Sequence, residues 1–361
     1  MSGELSRYTR EEAQHFMNLW GARKRPFIFI IDYEMEKILL ATLDELKPDQ
    51  LLYNFNARSN EPVLFTSQPA DILAHQALSK EDYLTKYNRV LAEINKGNSY
   101  LLNLSTKIKL STPSTLLELY KQASAKYKLY LPNQFICFSP ETFIKTVKGE
   151  IFTHPMKGTI NASDPEAREK LLADQKENAE HATIVDLMRN DLSMIAQKVT
   201  VSRFKYLDKI ESRNKSLWQM SSEIRGTLKP EFTQSPGDLL FALLPAGSIS
   251  GAPKKKTVEI IQQVEGEKRN YYTGICGIFD GQDIDSGVMI RFIEKEEEAL
   301  YYRTGGGLTA QSNFENEFQE LIDKIYVPTN RDDSNIERKG LQHSVSQSEN
   351  AESSICSFSN S

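Results

Sequence analysis

Long segments in which every second residue is apolar constrain the fold of this chain most. Between residues 99 and 110, Leu102, Leu104, Ile108 and Leu110 recur with the two-residue period of a half-buried strand. Further strand-like segments follow one another at hairpin spacing, at residues 134–139, 141–148 and 150–153. Such spacing indicates antiparallel pairing. We therefore predict an α+β fold built on antiparallel sheets, and not a doubly wound parallel sheet.

Capping residues and helical periodicity predict helices between the strands. Thr9 with Glu12 forms a capping box for the first helix, Ser79 caps another, and Ser312 with Glu315 forms a capping box for the last. Residues 43–79 carry no clear pattern. Further helices are predicted at residues 116–126, 164–176, 177–197 and 239–244, and one with Pro253 at its first position. Further strands are predicted at residues 26–33, 37–42, 199–207, 216–228, 274–279, 284–294 and 299–303.

The composition excludes several classes of protein. The chain has 361 residues, 39% of them hydrophobic, which is enough for a large core in one or two domains. Its formal net charge of −5 argues against a surface that binds nucleic acid or an anionic membrane. It has no apolar run of about 18 residues, and residues 1–7 lack a signal-peptide pattern. Three scattered cysteines fit a reducing cytoplasm, where we expect the protein to act.

The composition changes after Pro328. Residues 329–361 are rich in Ser, Asn, Glu and Gln and contain few large apolar side chains. A segment of this kind cannot bury enough apolar surface to offset the entropy lost on folding. We therefore predict a single domain over residues 1–328 and a disordered tail over residues 329–361.

One lysine lies in a stiff turn, the segment HPMKGT at residues 154–159. Pro155 restricts its own backbone, and Gly158 lets the chain come close to a ligand. A lysine held in this way, Lys157, can be a nucleophile if its neighbours lower its pKa. On these six residues alone, a surface turn with a solvated lysine is the simpler interpretation.

Two pairs of glutamates stand three residues apart on predicted helices. Glu177 with Glu180, and Glu317 with Glu320, each share one helix face. Two such faces brought together would offer the carboxylate oxygens that Mg²⁺ prefers. Any single pair at this spacing is more often a solvated helix face, so the spacing alone does not establish a metal site.

Two glycine-rich segments and one arginine indicate an anionic ligand. The loop at residues 246–252 exposes backbone N–H groups and the hydroxyl of Ser248 in front of a helix, an arrangement that suits a carboxylate or a phosphate. The motif alone fits a purely structural loop equally well. Gly305, Gly306 and Gly307 follow a predicted strand and indicate close approach of the backbone to a partner. Alternation puts Arg291 opposite Val288, Ile290 and Phe292, a face that belongs either to solvent or to a bound carboxylate, and periodicity alone favours solvent.

Five segments together resemble the chorismate-utilising enzymes, a family that includes the anthranilate, aminodeoxychorismate, isochorismate and salicylate synthases. They are HPMKGT (154–159), AEHATIVDLMRNDL (179–192), LLPAGSISGAPKKK (243–256), YYTGICG (271–277) and YRTGGGLTAQSNFENEFQELIDK (302–324). They follow the family's order between residues 81 and 326. The resemblance implies one large domain of two antiparallel sheets packed face to face and flanked by helices. It also implies Mg²⁺ and chorismate.

The resemblance assigns the metal and acid roles to matching positions. Glu180 and Glu320 match the Mg²⁺ ligands, and Glu177 and Glu317 match positions that hold the ion through its waters. Glu141 matches the general acid that protonates the departing C4 hydroxyl of chorismate. That role implies a carboxyl group with a raised pKa.

The same resemblance implies how the substrate is held. The carboxylate on its pyruvyl side is expected at Arg291 and Tyr272. This expectation explains why Arg291 lies on the face of the predicted strand opposite its apolar residues. The remaining contacts are expected from two backbone N–H groups and three side chains: Gly305, Gly307, Thr159, Ser248 and Lys324.

Two positions distinguish members of the family. Lys157 stands where anthranilate synthases usually have alanine, and lysine there resembles component I of aminodeoxychorismate synthase. Leu101 stands where members that use water have a lysine base, so water is not the expected nucleophile. The resemblance therefore implies ammonia, delivered by a glutaminase partner subunit because no Cys-His-Glu glutaminase segment is present. The alternatives are an anthranilate synthase type of reaction and a non-catalytic chorismate-binding subunit.

The chain also departs from the family pattern. Gln219 replaces a histidine that commonly lines the site, and glutamine cannot titrate. Ser248 stands where threonine is common. The N-terminal part lacks a recognisable tryptophan-binding segment, so feedback control by tryptophan is not expected.

Overall fold

The computed structural model describes residues 5–62, 74–75, 78–211 and 216–328. These residues belong to one compact unit. The tail predicted to be disordered, residues 329–361, lies outside the described residues. Among the helices described, none is both long enough and apolar enough to cross a membrane.

Within the described residues, ten strands form a first antiparallel sheet, sheet A. Its order is β1-β3-β2-β16-β17-β10-β11-β14-β12, and β13 pairs with β14 as well. The bounds are β1 (Arg7–Tyr8), β2 (Phe27–Ile31), β3 (Ile38–Thr42), β10 (Thr142–Val147), β11 (Glu150–Thr153), β12 (Met156–Asn161), β13 (Ala196–Glu211), β14 (Ser216–Leu228), β16 (Ile275–Phe279) and β17 (Ile284–Val288).

Nine further strands of the described chain form sheet B, which is also antiparallel. Its order is β15-β7-β19-β18-β9-β8-β4-β5, with β6 beside β7. The bounds are β4 (Leu52–Phe55), β5 (Arg58–Ser59), β6 (Ala74–His75), β7 (Leu101–Ser111), β8 (Tyr127–Leu131), β9 (Phe135–Ser139), β15 (Gly251–Ala252), β18 (Phe292–Glu296) and β19 (Ala299–Leu308).

Helices cover the outer faces of both sheets. Their bounds are α1 (Arg10–Ala22), α2 (Lys80–Asn95), α3 (Leu116–Gln122), α4 (Ala167–Ala173), α5 (Gln175–Ile195), α6 (Pro236–Leu243), α7 (Gly247–Ser250), α8 (Lys254–Glu265) and α9 (Phe314–Asp323), with a short 3₁₀ turn at Pro230–Phe232.

Alternation along the strands decides which layer each side chain joins. On β2, Phe27 and Phe29 pack against helices α1, α5 and α6, whereas Ile28 and Ile30 face sheet B. Sheet B shows the same division, because Cys137 faces sheet A while Phe138 packs with α3. The result is two sheets packed face to face between layers of helices, as predicted.

Several local predictions are confirmed. The capping box of Thr9 and Glu12 starts α1, and Ser79 caps α2. The strand-like segments at residues 134–139, 141–148 and 150–153 are β9, β10 and β11, and β10 pairs antiparallel with β11. The strand predicted at residues 99–110 is β7.

Other local predictions are wrong, each because of a contact that the sequence does not show. The last helix is capped by the side chain of Asn313, which accepts from the backbone of Asn316, and not by Ser312. Pro253 is the N-cap of α8 and not its first residue. The two helices predicted to meet at residues 176 and 177 instead meet at Asp174, whose side chain caps α5.

The strand predicted at residues 284–294 is two strands, β17 and β18. Arg291 lies between them with a left-handed backbone (φ 54°). The three glycines expected to follow a strand lie within β19, paired with β7. The loop at residues 246–252 contains the short helix α7 and the strand β15.

Candidate active site

Lys157 reaches the interior of the molecule because β12 is irregular. The register between β12 and β14 shifts between Met156 and Thr159, and Gly158 takes a left-handed backbone (φ 81°). A Cβ on Gly158 would lie only 2.9 Å from Glu177 Oε2, so the turn packs directly on the first turn of α5. The ammonium group of Lys157 then lies 2.7 Å from Glu180 Oε2. An irregularity of this kind is a common way to redirect a side chain next to a functional site.

Three of the four predicted glutamates converge on Lys157. Burial by itself lowers the pKa of Lys157, but the carboxylates of Glu180, Glu320 and Glu177 outweigh burial and hold the pKa above its ordinary value. Glu180 is 3% exposed and comes from α5, whereas Glu320 comes from α9. The solvated-turn interpretation of the HPMKGT segment is therefore wrong for this fold. The neighbours of Lys157 raise its pKa, which is the opposite of the condition stated from the sequence for a nucleophilic lysine.

The second lysine of the site, Lys324, follows α9. Its Nζ donates hydrogen bonds to Glu320 Oε1 at 2.6 Å and to the carbonyl oxygen of Gly305 at 2.9 Å. Burial lowers its pKa, the charges of Lys157 and Arg291 lower it further, and Glu320 opposes them. Lys324 therefore connects the glutamates to the glycine strand β19.

The glutamates of the site have donor atoms that suit Mg²⁺. Carboxylate oxygens from two facing helices are the donors this ion takes in proteins, so the donor chemistry fits. The positive charges beside these carboxylates are the ammonium groups of Lys157 and Lys324. Within the described ranges, no group of three or more acidic, histidine or cysteine side chains is arranged to hold a metal ion. One oxygen of Glu180 and one of Glu320 are bonded to lysines in this structure, so Mg²⁺ would have to take their other oxygens or displace the lysines.

Glu141 lies on the opposite side of the site, in the connection between β9 and β10. Ser248 Oγ donates a hydrogen bond of 2.5 Å to Glu141 Oε1, which brings together residues 107 positions apart. Burial raises the pKa of Glu141, and the hydrogen bond from Ser248 and the charges of Arg291 and Lys324 oppose burial only in part. A carboxyl group with a raised pKa is what the resemblance implies for a proton donor.

Arg291 is directed into the site by the break between β17 and β18, and not by strand alternation. Its Nε is buried and has no hydrogen-bond partner in the part of the chain that the structure describes. A buried guanidinium N–H without an acceptor is costly unless a ligand completes it, and a carboxylate matches its geometry.

Tyr272 and the glycine strand lie beside Arg291. A Cβ on Gly305 would lie 3.1 Å from the hydroxyl of Tyr272 and 3.0 Å from Asn103 Oδ1. Burial is the main reason that the pKa of Tyr272 is raised to about 12, which keeps its hydroxyl protonated as a donor. Asn103 Oδ1 is buried and, among the described residues, has no hydrogen-bond partner. The absence of a side chain at Gly305 is therefore needed for these groups to meet.

The other predicted positions lie around the same centre. A Cβ on Gly307 would lie 3.8 Å from Lys157 Nζ and 3.3 Å from Leu101 Cδ1, so Leu101 forms an apolar wall next to the lysine. Thr159 pairs through its backbone with Gln219 on β14. Glu317 is 3% exposed on α9, and its charge contributes, after burial, to the raised pKa of Tyr83 on α2.

One central pair was not singled out from the sequence, Arg269 with Glu265. Arg269 is 1% exposed and donates two hydrogen bonds to Glu265, of 2.8 and 2.6 Å. Its remaining donors bind the carbonyl oxygens of Ile249 and Asn103 and the hydroxyl of Thr273. The four-residue spacing of Glu265 and Arg269 was visible, but Gly266 ends α8 between them, and only the fold shows that the pair is buried.

Comparison with known proteins identifies the family. The family model described as chorismate binding enzyme matches residues 4–330. The chain therefore belongs to the family of chorismate-binding enzymes, and it is a chorismate-utilising enzyme.

The individual relatives include both aminodeoxychorismate synthases and anthranilate synthases, so they do not identify one reaction. An uncharacterised PabA-like protein of Haemophilus influenzae is 45% identical over 318 residues, 87% of this chain and 97% of that protein. Aminodeoxychorismate synthase component 1 of Salmonella typhimurium is 31% identical, over 69% of this chain and 57% of that protein. Anthranilate synthase component 1 of Arthrobacter globiformis is 30% identical, over 75% and 55%. The crystal structure of anthranilate synthase component I from Streptococcus pneumoniae (TM-score 0.64, 22% identity, 83% of this chain and 79% of that one) shows the same fold.

Proposed function

We propose that this protein is the chorismate-aminating component of an aminodeoxychorismate synthase. The observation that carries the proposal is the position of Lys157. Its ammonium group lies 2.7 Å from Glu180 and faces the glycine strand, inside a site that also contains the proton donor Glu141 and the incompletely bonded Arg291. The two named relatives at nearly equal identity do not decide between amination at C4 and at C2 of the ring, so the proposal rests on this lysine.

The proposed reaction proceeds in two substitutions. Lys157 is an ammonium group that its carboxylate neighbours stabilise, so it must first release one proton to solvent. The neutral amine then forms a bond to ring C2 while the C4 hydroxyl leaves, and Glu141 gives its proton to that hydroxyl so that water is released. Ammonia then forms a bond to C4, the C2–nitrogen bond breaks, and the amine of Lys157 is restored. The proton lost by the ammonia nitrogen balances the one that Glu141 supplied. The product is 4-amino-4-deoxychorismate, a precursor of p-aminobenzoate and folate.

The charged residues of the site would hold the substrate during these steps. Arg291, Tyr272 and the backbone of Gly305 and Gly307 would bind the pyruvyl-side carboxylate, and Thr159, Ser248 and Lys324 would make further contacts. Mg²⁺ on Glu180 and Glu320, with Glu177 and Glu317 around its waters, would supply positive charge for a substrate carboxylate. Leu101 provides no base next to Lys157, which disfavours water as the nucleophile.

Ammonia would come from a glutamine amidotransferase subunit. The supporting observation is indirect: relatives of this chain are named as first components of synthases or as PabA-like. Free ammonium salt should replace the partner in the test tube, which lets the chemistry be examined with this chain alone.

Product analysis tests the proposal. The protein is incubated with chorismate, Mg²⁺ and ammonium chloride, and the product is identified by chromatography and mass spectrometry. We expect aminodeoxychorismate. Anthranilate would overturn the proposal in favour of amination at C2, and no turnover would favour a non-catalytic chorismate-binding subunit.

Replacement of the lysine tests the covalent step. We expect Lys157→Ala to lower kcat by on the order of a thousandfold or more, because removal of a nucleophile abolishes the pathway that it begins. Chorismate binding, followed by isothermal titration with Mg²⁺ present, should persist. Lys128→Ala is a matched control, since Lys128 is also a shielded lysine paired with a glutamate, 2.7 Å from Glu61, away from this site. Full activity of Lys157→Ala would remove the covalent role.

A further inference from the structure

The five residues after α9 form a strap that returns to the site. Tyr302 donates hydrogen bonds from its hydroxyl to the carbonyl oxygens of Lys324 and Tyr326, at 2.8 and 3.0 Å. At its far end, the backbone N–H of Ser124 donates to the carbonyl oxygen of Pro328 at 2.8 Å. This C-terminal strap, residues 324–328, is therefore fixed at both ends.

Alternation along the strap divides its side chains between two sides. Ile325 and Val327 pack into the apolar cluster beneath α3, which includes Leu119 and Phe138. Tyr326, between them, lies on the opposite side. Its ring centroid is 5.2 Å from the guanidinium carbon of Arg291, and the side chain is 47% exposed. The core thus selects the orientation that places this ring on Arg291.

The contact restricts a buried donor group of the site that lacks a partner among the described residues. Arg291 Nε is buried without an acceptor among the described residues. An aromatic face attracts a guanidinium without using its N–H groups. The ring therefore holds the plane of Arg291, and the Tyr326 hydroxyl is itself a hydrogen-bond partner of the guanidinium. The buried Nε is the N–H that stays available to a planar anion.

We propose that Tyr326 is a positioning residue that holds Arg291 ready for the carboxylate of the substrate. The inference rests on the proposed function, in which Arg291 binds the pyruvyl-side carboxylate of chorismate. Tyr326 takes no part in bond making or breaking. It lowers the cost of ordering Arg291 when substrate binds, so it contributes to KM and not to kcat.

If the Tyr326 ring blocked the substrate instead of positioning Arg291, its removal would change KM in the opposite direction. A ring that occupied the place of the substrate carboxylate would have to move before binding, and its removal would then lower KM. The two roles are therefore separated by the sign of the change.

The experiment compares Tyr326→Ala, Tyr326→Phe and wild type at saturating Mg²⁺ and ammonium. For Tyr326→Ala we expect the KM for chorismate to rise roughly three- to thirtyfold, the range of a cation–π contact, with kcat within about twofold. Tyr326→Phe keeps the ring but removes the hydroxyl that bonds to Arg291, so its KM should lie between those of wild type and Tyr326→Ala. An unchanged or lowered KM in Tyr326→Ala overturns the inference.

Two further variants make the result specific. Tyr301→Ala removes a ring that also carries a cation, with Lys107 Nζ 5.2 Å from its centroid outside the site, and should leave KM unchanged. Arg291→Met separates the two hypotheses. A large rise in KM with Arg291→Met but none with Tyr326→Ala refutes only the role of Tyr326, whereas no rise with Arg291→Met refutes the proposed carboxylate site itself.

Discussion

Two buried arginines near Tyr272 illustrate two different uses of the same side chain. Both influence the pKa of Tyr272, so they lie in one region of the molecule. Arg269 donates five hydrogen bonds, to Glu265, to two backbone carbonyl oxygens and to a hydroxyl. Arg291 leaves its Nε buried without a partner in the described chain.

We interpret the difference as a division of roles, in which Arg269 stabilises the fold and Arg291 is proposed to bind the substrate. Arg269 joins strand β7, the turn before Tyr272 and the segment beside Ser248 into one unit, and nothing remains for a substrate. Arg291 is ordered by its strand break and by Tyr326, and its bonding capacity is incomplete. Since buried polar groups in proteins are almost always satisfied, Arg291 is the one of these two arginines that retains capacity to bind a ligand.

The largest expected effect is a loss of stability when Arg269, whose hydrogen bonds are all made, is replaced. Arg269→Met should lower the free energy of unfolding by about 3–5 kcal/mol, because it leaves the carboxylate of Glu265 buried without its cation. Urea unfolding followed by circular dichroism measures the loss. The double variant Arg269→Met with Glu265→Leu should recover part of it, and equal stability of the single variant and wild type would show that the pair is not structural.

Replacement of Arg291 should weaken chorismate binding and leave the stability of the fold nearly unchanged. Arg291→Met should raise the KM for chorismate by on the order of a hundredfold, since a buried donor to a carboxylate is removed. The free energy of unfolding should stay within about 1 kcal/mol of wild type. A stability loss as large as that of Arg269→Met would remove the distinction between the two arginines.

Ser105 is part of the hydrogen-bond network around Arg269 and Glu265, and its replacement should have a smaller effect. Ser105 donates to Glu265 from both its backbone N–H and its hydroxyl, at 2.8 and 2.9 Å. Ser105→Ala deletes only the second bond, so we expect a loss of about 1 kcal/mol in the free energy of unfolding with the KM unchanged. A change in KM without a change in stability would connect this network directly to substrate binding.

The pH dependence of kcat gives the finest test. Burial raises the pKa of Glu141, and the charge of Arg291 lowers it in part. Because only the protonated carboxyl can donate, kcat should fall as pH rises through that pKa. Arg291→Met removes a cation that favours the carboxylate, so the fall should move to higher pH at saturating chorismate. Ser105→Ala should leave it in place, and a shift in that control would contradict the local origin of the effect.

The sequence alone determined the layers of the fold and the identity of the central lysine. Alternation of apolar residues specifies which face of a strand is buried, and hairpin spacing specifies antiparallel neighbours. Pro155 and Gly158 mark the turn around Lys157. Residue chemistry combined with the family resemblance selected the four glutamates, Glu141 and Arg291 in advance, although it could not show that they meet.

Tertiary structure decided what surrounds these residues. Glu141 meets Ser248 across 107 positions, and Arg291 enters the site through a left-handed break where periodicity predicted a continuous strand. Arg269 with Glu265 looked like an ordinary charged pair at the end of a helix. Periodicity reports only neighbours along one element, whereas burial and hydrogen-bond saturation depend on segments far apart in the chain. That is why the sequence identified the charges, and only the fold distinguished the fully bonded Arg269 from Arg291, whose buried Nε has no acceptor among the described residues.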